Sequence, residues 1–289
     1  MKNRIEYIVY IFFSWSFRIL GLNLSRNFAN VLAAVFFHLI PIRKKIVLDN
    51  LKIAFPENDF KTNNKLADKI YLSFAISLVE ILYLPYLNKQ SLIETVKINN
   101  PELIIDKYQE GSGVILLSSH FGNWEYLAIS AAVQIGIPFS VIVKPLRNSL
   151  VFKWMNRART KFGNEIVPLG ISIRKTYQTL KEKKIVAMVA DQRGPREGVK
   201  VDFFGKKTTV YTGPAALAIK TGAPIICGIA IRDNDNKYRV QLVEISKENL
   251  PESEEDKILV ISQRYTSYLE SIIREYPEQW LWMHNRWKY

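Results

Sequence analysis

Between residues 114 and 245, short apolar runs alternate with stretches of helical spacing, and that alternation confines the chain to an α/β fold. The apolar runs cover 114–118, 139–143, 165–168, 185–190, 224–232 and 238–245; the last two flank the turn Asp233-Asn-Asp-Asn236. Residues 125–136, 149–162, 172–184 and 215–221 carry apolar side chains at helical spacing between them. Strands separated by helices pair in parallel, because each crossover brings the chain back to the edge it left. The expectation is a mainly parallel sheet flanked by helices. Residues 46–90 read as helical with a break at Pro56-Glu-Asn-Asp59, 101–113 as a bridge into the first clear strand, and 254–275 as a long helix before an aromatic tail. Thr212 reads as the N-cap of the helix that Pro214 opens.

The first strand runs into His120: Val114-Ile-Leu-Leu-Ser-Ser-His-Phe-Gly-Asn-Trp-Glu125. Open α/β sheets place ligands at the C-terminal ends of their strands. Of the three histidines this one is the best placed for proton transfer near neutral pH. His38 and His284 lie among apolar and aromatic neighbours and read as structural. Glu125 opens the helix five residues after His120, a spacing that does not put the two on one helical face. They meet only if the turn at Gly122-Asn123 folds back; otherwise the segment is a surface loop with a capping carboxylate. Asn123 fits the N-cap of that helix. Another strand ends at Asp191, and the loop after Val143 leads to Arg147, Arg157 and Arg159. Together these residues form a candidate site at one sheet edge. Asp191 is suited either to orient an arginine or simply to pair with Arg193. Ser118 and Ser119 read as strand-end residues, since no nucleophile-elbow pattern surrounds them.

Composition narrows the partners. The net charge of +13 favours an acidic partner, whether nucleic acid, anionic lipid or an acidic protein. No nucleic-acid motif, glycine-rich phosphate loop or metal-ligand spacing is present, so no metal or cofactor is expected. The single cysteine, Cys227, sits in an apolar run and reads as a small buried hydrophobe. Residues 1–45 are apolar and aromatic, with Arg18 inside and Arg43-Lys-Lys45 at the end, a pattern of anchorage to an anionic membrane face. The uninterrupted apolar part falls short of the roughly 20 residues a clean span needs, so an interfacial pair and a tilted span both stand. A helical pair that merely caps the core is the plainer alternative.

The motifs taken in order resemble a known family. His120-Phe-Gly-Asn-Trp-Glu125 resembles the H-x4-D/E motif of glycerolipid-type acyltransferases, in the form found in the lipid A late acyltransferases. Asn50-Leu-Lys-Ile-Ala-Phe-Pro-Glu57, the basic block Lys144 to Asn148 with Arg157-Ala-Arg159, the Asp191-Gln192 block with its continuation through Ala218, and Pro277 to Lys288 are similar to further family segments. The resemblance implies a glycerolipid-acyltransferase-like α/β domain over 46–289 behind an anchoring segment over 1–45. It implies transfer of a fatty acyl chain from an acyl carrier protein thioester to a hydroxyl of a lipid A precursor at the bacterial inner membrane, on its cytoplasmic side. His120 would then be the general base and Glu125 its orienting partner. Asn123, Arg147, Arg157, Arg159 and Asp191 would contact substrate, the arginines as phosphate clamps unless their loop is merely a solvated face. Amides at the start of the Glu125 helix, or Arg159, would stabilise the oxyanion. Alternatives are the same chemistry on another membrane lipid such as a phosphatidylinositol mannoside, a thioester hydrolase, or a non-enzymatic basic membrane-surface protein.

Overall fold

The computed structural model describes residues 1–170 and 172–288. Its helices are α1 (Lys2–Ala34), α2 (Lys44–Ala54), α3 (Phe60–Tyr83), α4 (Lys89–Thr95), α5 (Glu102–Gln109), α6 (Trp124–Ile135), α7 (Ser149–Thr160), α8 (Ser172–Lys181), α9 (Gly213–Thr221) and α10 (Glu254–Glu275). Its strands are β1 (Val96–Ile98), β2 (Val114–Ser118), β3 (Phe139–Val143), β4 (Glu165–Pro168), β5 (Ile185–Val189), β6 (Lys200–Phe203), β7 (Lys206–Thr209), β8 (Ile225–Arg232) and β9 (Tyr238–Glu244).

Seven strands form the main sheet in the order β1-β9-β8-β2-β5-β3-β4. Every neighbouring pair is parallel except the β8–β9 hairpin, whose turn was legible as Asp233–Asn236. The mainly parallel sheet expected from the sequence is therefore what forms. β8 is buried along nearly its whole length, which is why Ile225 to Ile231 reads as an unbroken small-and-apolar run. Cys227 lies within it, buried, and burial pushes its thiol pKa well up.

Several elements went unread, among them β1, the helix α5 inside the segment read as a bridge, and the β6–β7 hairpin. β1 is only three residues long and offers two inward side chains, Val96 and Ile98. The β6–β7 hairpin is rich in Lys and Thr and carries little alternation. Its two-residue loop, Phe204-Gly205, has both residues at positive φ (54° and 67°), the geometry whose twist matches paired strands. Thr212 stands at the N-cap position of α9 but makes no capping bond.

α1 is not one rod. Gly21 sits at φ 75° and ψ 161°, outside helical space, and folds the chain back on itself. In a straight helix Phe13 and Phe28 would lie about 22 Å apart along the axis. Their ring centroids are 6.3 Å apart, and Ser25 Oγ donates to the Phe17 carbonyl at 3.2 Å. The inner face of this hairpin packs on α3. Its outer face presents Ile5, Ile8, Phe12, Trp15, Ile19, Leu24 and Val31 to the exterior. The Lys2–Leu39 stretch is long and apolar enough to cross a membrane by length and composition.

The C-terminal tail forms the floor of one half of the core. Trp280, Trp282 and Trp287 are buried and pack with Phe203, Phe204 and Phe55. Phe203 stacks on Trp287 at 5.4 Å, and Trp280 meets Trp282 edge-on at 4.8 Å. Each such pair adds about 0.5–1.5 kcal/mol beyond its buried area. Asn50 of α2 ties the tail down, donating to the Trp282 and His284 carbonyls at 2.8 and 2.7 Å.

Candidate active site

The register of two neighbouring parallel strands builds the centre of the site. β2 and β5 pair so that Ser118 lies opposite Val189. Two residues beyond each partner stand His120 and Asp191, brought side by side although 71 positions apart in sequence. His120 Nδ1 lies 2.7 Å from Asp191 Oδ1, and the His120 amide donates to Asp191 Oδ2 at 3.0 Å. Trp280 Nε1 donates to that same oxygen at 2.8 Å. The tail is held in place for this by Leu281, whose amide donates to the His120 carbonyl at 2.9 Å.

Electrostatics settle the tautomer. Burial would raise the Asp191 pKa, but the His120 charge and hydrogen bond, with Trp280 and the His120 amide donating, hold it down at about 2. An ionised carboxylate only accepts, so neutral His120 carries its proton on Nδ1 and leaves the Nε2 lone pair free. Burial disfavours the imidazolium, yet the Asp191 charge and hydrogen bond and the more distant Glu125 charge outweigh it. The His120 pKa is thereby raised above its ordinary 6.5. An oriented base with a carboxylate behind it is the arrangement used to take a proton from a hydroxyl.

Glu125 does not orient His120, contrary to the sequence expectation. It lies in the first turn of α6 and grips Arg159 of α7 with both oxygens, at 2.8 and 2.5 Å. The separation expected for residues five apart on a turn and helix is what sends the carboxylate elsewhere. Asp191, expected to meet substrate or Arg193, is instead the partner of His120. Arg159 is mostly buried by its pairing with Glu125 and also donates to Asn156 Oδ1 at 3.0 Å. Trp124 packs edge-on against the His120 ring, with centroids 4.9 Å apart.

Asn123, expected to contact substrate, is fully buried, and both ends of its amide are engaged within the protein. Its Oδ1 caps α6 by accepting from the Tyr126 amide at 3.0 Å, and its Nδ2 donates to Glu80 Oε2 at 2.9 Å. Arg147 is exposed and paired at 2.9 Å with Glu6 near the start of α1. Arg157 is exposed on α7, two residues from Arg159 and hence on another face. Of the three arginines expected to clamp a phosphate, the structure brings only Arg159 to the carboxylate of the motif, Glu125.

Gly122 makes the turn possible. Its φ is +52°, and a Cβ there would stand 2.1 Å from the Ala230 carbonyl oxygen of β8. Its amide donates to the Gln279 carbonyl at 2.9 Å, and its carbonyl accepts from Ser77 Oγ at 2.7 Å. Gly122→Ala is expected to destabilise the fold by about 2–5 kcal/mol, from the left-handed backbone and the forced overlap together. A thermal melt within 1 kcal/mol of wild type would contradict this close approach.

His284, read as structural, is so. Its Nε2 accepts from the Arg193 amide at 3.0 Å, and burial with the nearby Arg193 charge lowers its pKa to about 4, keeping it neutral. A narrow pocket at His120 is lined by the apolar Ile70, Phe74, Trp124, Leu281 and Met283 and by the polar Ser73, Ser77, Glu278 and Gln279.

Comparison with known proteins adds the family context. A family model described as bacterial lipid A biosynthesis acyltransferase matches residues 2–289. The phosphatidylinositol mannoside acyltransferase of Mycolicibacterium smegmatis is 25% identical over 215 residues, 72% of this chain and 67% of its own length. The corresponding Mycobacterium tuberculosis protein is 28% identical over 153 residues, 51% of this chain and 48% of its own. The lipid A biosynthesis lauroyltransferase of Escherichia coli is 25% identical over 248 residues, covering 85% of this chain and 79% of its own.

Proposed function

Because this chain belongs to the bacterial lipid A biosynthesis acyltransferase family, we propose that it carries a fatty acyl chain from an acyl carrier protein thioester to a hydroxyl of a lipid A precursor. The observation that carries this reading is the His120–Asp191 pair, with a free Nε2 at the sheet edge and the apolar side chains of Trp124 and Leu281 beside it. The acceptor hydroxyl oxygen attacks the thioester carbonyl carbon while Nε2 takes its proton. The carbonyl oxygen becomes an oxyanion. Collapse of the tetrahedral intermediate breaks the carbon–sulfur bond, and the departing thiolate takes the proton back from the imidazolium. Asp191 stabilises the imidazolium between these steps. First-turn amides of α6 lack intrahelical acceptors and supply donors to the oxyanion. The Glu125–Arg159 pair fixes the α6–α7 junction beside them.

The apolar side chains beside His120 offer the acyl chain a path, along which each buried methylene contributes about 0.8 kcal/mol. The net charge of +13 favours both an acidic carrier protein and anionic lipid, which supports a place for the domain at the cytoplasmic face of the inner membrane. Similarity to the phosphatidylinositol mannoside enzymes supports a second acceptor for the same chemistry. The deciding experiment presents the enzyme with acyl carrier protein thioesters of several chain lengths and, separately, a tetra-acylated lipid A precursor and a phosphatidylinositol mannoside. An acyl mass gain on the lipid A precursor bears out the leading reading. A gain on the mannoside alone moves the acceptor, and thioester loss with neither gain points to hydrolysis.

The anchor is interfacial in this reading. Glu6, near one end of α1, bonds Arg147 and Asn148; Ser14 bonds the Leu82 carbonyl; Arg26, past the bend, bonds Glu80. A helix held to one domain at both ends does not carry one end to the opposite leaflet. The apolar outer face instead seats the domain in one leaflet. Replacing Phe12 and Trp15 together by Glu is expected to cut the fraction floated with anionic vesicles at least about tenfold. Unchanged flotation would remove this face from the membrane.

A further inference from the structure

Glu80 is a carboxylate with no exposure, set in the apolar stretch Leu78-Val-Glu-Ile81 of α3. A buried charge of this kind persists only when every lone pair is engaged. Oε1 accepts from Arg26 Nε and Nη2 at 2.8 and 2.7 Å. Oε2 accepts from the Tyr238 hydroxyl and, at 2.9 Å, from Asn123 Nδ2. The Glu80 carbonyl accepts from the Tyr126 hydroxyl at 3.3 Å. Two of these donors, Asn123 and Tyr126, belong to the turn and first turn of α6 that follow His120. One helical turn earlier on α3, Ser77 holds the Gly122 carbonyl.

We propose that Glu80 is a positioning residue for the acyl transfer: through Asn123 it sets the turn after His120 and the N-terminus of α6. The inference rests on the reading of His120 as the base. An asparagine amide can sit in either of two flips, and only the one that presents its oxygen to the Tyr126 amide caps the helix. Glu80 takes the Nδ2 hydrogen and so selects that flip. The cap then fixes the first-turn amides, and with them Trp124 against the imidazole. Arg26 compensates the charge from the second limb of the α1 hairpin. The membrane-facing segment thus supplies the counter-ion of the loop that does the chemistry.

The test uses the full chain with Arg26→Met and Glu80→Gln combined, so that the ion pair is removed as a unit while the nearby Arg232 keeps its hydrogen bonds to Ser73 and the Tyr238 hydroxyl. Turnover number is expected to fall about 100-fold, because small misplacement of reacting groups costs that much. The KM for each substrate stays within threefold. The pH dependence of the residual activity stays that of wild type, because His120 and Asp191 are untouched. Amide hydrogen exchange over 121–126 speeds up at least tenfold while the strands of the sheet keep their protection. Asn123→Ser, which keeps a capping oxygen but cannot reach Glu80, is the second variant should the first not fold, and the same loss is expected of it. A folded variant of either kind with turnover within threefold of wild type, or with unchanged exchange over 121–126, overturns the proposal. If wild type moves no acyl chain to any lipid, the functional reading fails instead, and the exchange measurement alone still decides whether Glu80 holds the turn.

Discussion

His120→Ala is expected to lose at least about 1,000-fold in acyl transfer while keeping its melting temperature and its vesicle binding. The imidazole is the group at the pocket with a free basic nitrogen and a carboxylate behind it. Its loss leaves the acceptor hydroxyl to attack with its proton in place. The side chain is only partly exposed and spans no core layer, so the Ala variant leaves a small water-accessible gap rather than a collapsed core. The backbone bonds of residue 120, to Asp191 and from Leu281, survive the substitution. Steady-state rates on matched, folded samples check the expectation. Activity within tenfold of wild type would take the base away from His120.

Asp191→Asn is expected to cost about 10³–10⁴-fold in turnover with the fold retained. An amide can present its NH2 to Nδ1, which puts the imidazole proton on Nε2 and removes the lone pair that the reaction needs. The pH dependence carries a second, independent sign. In wild type burial lowers the His120 pKa, but Asp191 outweighs it, so the base-limited rise in kcat/KM lies above pH 6.5. With Asn at 191 the stronger opposing charge is gone and burial, the largest single influence, remains, so the limb of the residual activity shifts to lower pH than in wild type. A limb in the same place for both proteins would show that Asp191 does not set the basicity of His120. The same linkage governs stability. The raised His120 pKa contributes stability that is full below about 6.5 and lost as pH climbs through the folded value. The lowered Asp191 pKa contributes stability that is full above 3.8 and lost as pH falls toward about 2. The pair therefore stabilises the fold most between these limits, on the acid side of neutrality.

Much of the architecture was legible because parallel sheets leave a strong one-dimensional trace. β2, β3, β5 and β8 are apolar runs of the right length between helices, and Asn123 accepts the amide bond expected of an N-cap, as Asn148 and Ser253 do at two further helices. α10 begins and ends where its pattern does. Strand order leaves no such trace. Nothing in the chain announces that β5 lies beside β2, so nothing announces that Asp191 meets His120. Proximity in sequence favoured Glu125, and the turn geometry sends that carboxylate to Arg159 instead. Gly21 gave a weak signal, since one glycine within an apolar helix is tolerated; only its positive φ makes the hairpin. Glu80 offered a better one. A carboxylate flanked by Val79 and Ile81 on a buried helix is a charge in need of partners, and Arg26 is such a charge in the other apolar segment.

The most direct measurement is a rapid-quench single turnover with acyl carrier protein thioester and lipid acceptor, following thioester, lipid and intact enzyme by mass spectrometry. The expected result is loss of thioester matched one for one by acyl gain on the lipid, with the enzyme mass unchanged throughout and no reaction in His120→Ala. An acyl adduct on the enzyme before lipid product forms, or thioester loss without lipid gain, would contradict direct attack by a hydroxyl that His120 deprotonates.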